Sequence, residues 1–87
     1  AEYGLKQNYP NPFNPFTIIG YQIPVRGEVT LKVYDLLGRE VATLVDGIQD
    51  AGFRTVQFNG SMLSSGIYYC RLVSGPYFGT MKILLLR

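Results

Sequence analysis

Six side chains carry a carboxylate: Glu2, Glu28, Asp35, Glu40, Asp46 and Asp50. Two carboxyls facing each other across a cleft could hydrolyse glycosides, and turn carboxylates with backbone carbonyls could hold calcium. Most of these six sit in or beside turns, where solvated acids are ordinary. The spacing from Asp46 to Asp50 matches no calcium-loop pattern. Ser61, Ser64 and Ser65 have no histidine to activate them, because the sequence contains none. That excludes a serine triad, His-based acid–base catalysis and Cys/His zinc sites. The single cysteine, Cys70, can form no intrachain disulfide. It falls on the inward face of a strand pattern, where a free Cys acts as a small hydrophobe. The glycines from Gly60 to Gly66 lack the rest of a phosphate-cradling fingerprint and read as turn glycines. No catalytic residue, cofactor site or metal site is predicted.

Seven Tyr and five Phe raise a different chemistry, since exposed rings can stack on sugars. There is no Trp, and most of the rings occupy inward strand positions. Tyr34, Tyr69 and Tyr77 are expected outside, as the only candidates for a binding face. The stretch QNYPNPFNP, Gln7 to Pro15, is unusual in another way. Its prolines fix backbone angles and remove donors, and each residue before a Pro is pushed to extended geometry. Its Asn side chains can close Asx-turns on the next amides. The result is a rigid lead-in draped over one end of the fold, with Tyr9 and either Phe13 or Phe16 anchoring it in the core.

The elements that must position these groups are short and evenly punctuated. The chain has 87 residues and a mass of 9.8 kDa, one small domain with a thin core. Apolar residues make up 47% and charged residues 16%, which argues against disorder. Eight cations against six anions are scattered along the chain, with no basic run to suggest nucleic acid. The longest apolar run, Ile83 to Leu86, is far short of the roughly 20 residues a membrane helix needs. A start at Ala1 without Met suggests a piece of something longer, with residues 1 to 4 as the end of a linker. Turn signals recur about every 8–12 residues, the rhythm of an all-β sandwich or barrel. Strands are expected over Gly4–Gln7, Thr17–Ile23, Glu28–Asp35, Glu40–Val45, Phe53–Asn59, Gly66–Val73 and Tyr77–Leu86. Val29, Leu31 and Val33 share one face, as do Tyr68, Cys70 and Leu72. Gly38 is the expected left-handed residue of the turn after the third strand. A single helical turn at Ser61–Ser64 could be capped by Ser61. The fold class is all-β: an immunoglobulin-like β-sandwich of about seven antiparallel strands, with a small closed barrel as runner-up.

LKQNYPNPFNPFTIIGYQIP, VTLKVYDLLGREVATLVDG, AGFRTVQFNG, SGIYYCRL and the final KILLLR resemble the C-terminal sorting domain of type IX secretion cargo, in that family's order, from Leu5 to Arg87. The Ig-like domain of the flagellar hook-capping protein is similar through the middle segments. The resemblance implies a non-catalytic module at the C-terminus of a larger secreted protein. That module would direct its N-terminal cargo through the outer-membrane translocon of a Gram-negative bacterium, to the cell surface or beyond. A surface sortase-like peptidase would then remove it. Carried over residue by residue, the signal motifs are Asn11-Pro12 and Asn14-Pro15, Gly66-Ile67-Tyr68, and the basic residues Lys82 and Arg87. Arg87 stands where the family often ends in Lys, and Cys70 where an aromatic or aliphatic residue is more usual. If the last strand lies at a sheet edge, its open backbone could pair with a partner strand or a second copy. Lys82 and Arg87 are expected as free, exposed charges at its ends. The alternatives are a carbohydrate-binding module and a structural Ig-like spacer.

Overall fold

Val29, Leu31 and Val33 alternate with Thr30, Lys32 and Tyr34, and a period of two puts the first set on one side of a pleated strand. In the computed structural model, which describes residues 2–87, those three side chains are fully buried. The strands are β1 (Gly4–Leu5), β2 (Phe16–Ile23), β3 (Gly27–Tyr34), β4 (Glu40–Gln49), β5 (Gly52–Asn59), β6 (Gly66–Ser74) and β7 (Tyr77–Leu85). All pairings are antiparallel, in one sheet ordered β1-β2-β5 and another ordered β4-β3-β6-β7. Two separate sheets make a sandwich and dispose of the closed barrel. Ile19, Tyr21 and Ile23 of β2 and Phe58 of β5 face Val29, Leu31 and Val33 of β3, Tyr68, Cys70 and Leu72 of β6, and Ile83 and Leu85 of β7 across the core.

Three local expectations are corrected. β4 continues through Asp46 and Gly47, which pair with Thr30 and Val29, and ends at Gln49 rather than Val45. As an edge strand it can hold Asp46 out in water, and a register shift at Leu44 gives it the bulge that often blunts such edges. Ser61–Ser64 forms no helical turn. Leu63 N–H donates to Gly60 C=O at 2.9 Å, closing a β-turn, and Ser61 N–H donates to the Asn59 side chain at 2.9 Å, so Asn59 rather than Ser61 does the capping. Tyr77 does not project outward. It packs half-buried against the core and stacks on Tyr3, with ring centroids 5.3 Å apart. Gly38 has φ 82°, as its turn requires. Of the expected linker end, Ala1 lies outside the described residues; Gly4 pairs with Gln22.

Candidate functional site

Of the three rings, Phe13 alone anchors the proline-rich lead-in in the core, at 2% exposed, whereas Tyr9 is 80% and Phe16 46% exposed. Strand alternation explains the correction. Thr17 takes the inward position at the start of β2, which turns Phe16 outward. Tyr9 bridges Ile18 through two backbone bonds of 3.0 and 2.9 Å, opposite a residue whose own side chain faces out. Sequence reasoning also missed Asn8, 3% exposed. Its Nδ2 donates to Thr17 Oγ1 at 3.0 Å and to Pro10 C=O at 3.2 Å, and Thr17 Oγ1 donates to the same carbonyl at 2.8 Å. A buried polar side chain needs such partners. The only signal for it was an Asn beside a proline-rich stretch that offers few backbone donors of its own.

Asn11 closes no Asx-turn. Its Oδ1 reaches across to accept the Leu84 N–H at 3.0 Å. Phe13 N–H donates to Leu84 C=O at 2.9 Å, and Leu86 N–H donates to Phe13 C=O at 3.0 Å, a parallel bridge beside β7. Gln7 Nε2 donates to Lys82 C=O at 3.2 Å. These contacts change the picture of an open last strand. β7 is indeed an edge strand, but Lys82 to Leu86 is already strapped by the lead-in. Only the stretch at Phe78 and Thr80 has no outer hydrogen-bond partner among the described residues.

The strap meets two further motifs at the same end of the sandwich. Gly60 N–H donates to Pro15 C=O at 2.8 Å, and a Cβ on Gly60 would stand 3.2 Å from Leu85 and 3.3 Å from Phe13. Gly66, at φ 154°, takes a backbone conformation that side-chain-bearing residues rarely adopt as it leads into β6. Two residues on, the buried Tyr68 donates its hydroxyl to Ser64 C=O at 2.7 Å. Its position two before Cys70 and its bond back to the preceding loop are those of a tyrosine corner. Arg87 N–H donates to Ser65 Oγ at 2.8 Å, and its guanidinium donates to Leu63 C=O at 2.8 Å and to Ser61 C=O. Arg87 is therefore not a free charge: it ties the chain end to the Asn59–Ser65 turn. Pro12 and Asn14 flank Phe13 with exposed side chains. Asn11, Pro15, Gly66, Tyr68 and Arg87 thus converge on one pole; Lys82 is exposed on the outer face of the four-stranded sheet, next to the strap, where it lines a shallow cavity with Asn11 and Ile67.

Local electrostatics are structural in character. The backbone N–H of Arg39, with help from the Arg39 side chain and Leu37 N–H, holds the Asp35 carboxyl below its usual range. The Thr43 hydroxyl and then Lys32 lower Glu40, and its bond to Glu40 raises Lys32. Burial pushes the Cys70 thiol up to about 12, so it carries no thiolate at neutral pH. Among the described residues no three His, Cys, Asp or Glu side chains gather as a metal site.

The family of secretion-system C-terminal sorting domains matches residues 7–85. No curated protein and no solved structure matches the chain. With nearly its whole length covered, the chain belongs to the type IX secretion C-terminal sorting domain family.

Proposed function

We propose that the domain is a folded address tag. It sits C-terminal to a cargo protein, is recognised by the outer-membrane translocon of a Gram-negative bacterium, and is removed by a sortase-like peptidase at the surface. The observation that carries this reading is the family match, taken with the convergence of Asn11, Pro15, Gly66, Tyr68 and Arg87 on one pole. Residues scattered from Asn11 to Arg87 become a single three-dimensional feature only once the sandwich has closed. A receptor that reads this pole reads cargo whose tag has folded. Pro12 and Asn14 offer it exposed side chains, as do Leu37 and Met62, which are 78% and 93% exposed in the adjoining turns. Lys82 adds an unpaired charge on the neighbouring face. The tag role needs no chemistry from the domain, and its groups offer little: Cys70 is a core residue, and Glu28, Glu40 and Asp46 sit at exposed positions of β3 and β4, with Asp35 and Asp50 beside turns. The test is a periplasm-directed reporter with and without the domain fused at its C-terminus, expressed in a bacterium that has the type IX system. The fusion should reach the surface and the bare reporter should stay in the periplasm. Equal retention of both would reject the proposal.

A further inference from the structure

We propose that the outer face of the four-stranded sheet binds an acidic saccharide, its anionic group held by Arg71 and Lys82 and its ring stacked against Tyr34 and Tyr69. Cross-strand register builds this face. Tyr34, Tyr69 and Lys82 stand side by side in one row, and Lys32, Arg71 and Thr80 stand in the next. A shallow cavity of about 290 Å³ opens among Tyr34, Asp35, Tyr69, Arg71 and Thr80. The Asp35 carboxylate on its wall is taken up by Arg39 and the Leu37 N–H, and Lys82 stands just outside it, across from Tyr69.

Two of the cations here lack a carboxylate. Ion pairs among the described residues join Arg26 to Asp50, Lys32 to Glu40 and Arg39 to Asp35, and leave Arg71 and Lys82 unpaired. The Arg71 guanidinium lies 4.2 Å from the centroid of the Phe78 ring, which holds the fork in place without consuming its donors in a salt bridge. A guanidinium seated on an aromatic ring, with a second cation one row away on the same face, suits a carboxylate or phosphate. Tyrosine rings with hydroxyls at their tips suit the apolar face and the hydroxyls of a sugar.

An acidic peptide is the competing occupant, and the backbone argues against it. β3 is paired on both sides, by β4 and β6, and β6 by β3 and β7. A peptide lying on this face therefore meets no free backbone groups to pair with, the interaction on which strand-adding peptides depend.

The test is titration of the 15N-labelled domain with tri-galacturonate, its methyl ester, mannose 6-phosphate, mannose and a hexaglutamate peptide. At least one acidic sugar should shift the amides of Tyr34, Tyr69, Arg71 and Lys82, more tightly than its neutral counterpart and less tightly as salt rises. Which of the two does so tells carboxylate from phosphate. Arg71→Gln should weaken binding roughly tenfold. Lys82→Gln changes an exposed side chain that makes no hydrogen bond or ion pair among the described residues, so it separates binding from folding and should also weaken it. The proposal is overturned if neither acidic sugar binds up to about 10 mM, if the neutral sugars bind equally well, or if both variants bind like wild type. Hexaglutamate binding as tightly as the sugars would assign the face to a protein partner instead.

Discussion

Tyr68 and Cys70, two residues apart on β6, face the same core for different reasons. Tyr68 is held by its ring and by a hydroxyl that satisfies the Ser64 carbonyl of the preceding loop. Tyr68→Phe keeps the ring and orphans that carbonyl, which should cost about 1–2 kcal/mol and lower the melting temperature by roughly 4–8 °C per kcal/mol in a domain this small. An unchanged melting curve would show that the bond contributes nothing. Cys70 is held only by burial, which raises its pKa to about 12. A thiol that is harder to ionise folded than unfolded favours the folded state fully below its unfolded pKa of about 8.5. That contribution is lost as pH rises through the window from about 8.5 to 12. Cys70→Val, similar in volume and without a proton to lose, should flatten the alkaline limb of stability against pH. If both proteins fall off alike above pH 9, the alkaline loss belongs elsewhere, with Tyr21 the other group that burial raises.

Regular strands announce themselves in the sequence where one face is buried and the other wet. β3 and β6 were legible for that reason, and the core residues on them stand where the alternation put them. β4 was cut short because Asp46-Gly47 looks like a turn, and only its edge position tells otherwise. The strap was hardest to read. Its partner on β7 is 73 residues away in sequence, and Asn11 joins that strand through a side chain that no strand pattern reports. For the same reason Phe13 could not be singled out among Tyr9, Phe13 and Phe16. Proline marks a segment as extended without saying which ring points in. The strap gives an element-scale prediction. Asn11→Ala should cost about 1 kcal/mol and speed hydrogen exchange at Leu84, while Leu72 in the middle of the sheet keeps its protection. Asn11→Asp, which retains an acceptor, should restore much of the loss. Unchanged exchange at Leu84 in the alanine variant would mean that the Asn11 bond does not hold the strap.

At the scale of the molecule, the sandwich has two ends that differ in what they gather. One carries the turns around Arg26, Asp50 and Gly75. The other gathers the strap, the Asn59–Ser65 turn, the tyrosine corner and Arg87. Arg87 makes the second pole a single piece, since its backbone and side chain bind three residues of that turn. If export reads this pole, damage there should matter out of proportion to its effect on stability. The opposite pole supplies the control, because the exposed Arg26–Asp50 pair is worth only about 0–1 kcal/mol. The most direct measurement is surface delivery of a C-terminally tagged reporter carrying Arg87→Ala with Leu37→Ser, or Arg26→Ala with Asp50→Ala, each shown by its melting curve to be folded at growth temperature. The first pair should leave the reporter in the periplasm and the second should deliver it at the wild-type level. Normal delivery of the folded Arg87→Ala, Leu37→Ser reporter would contradict recognition of this pole.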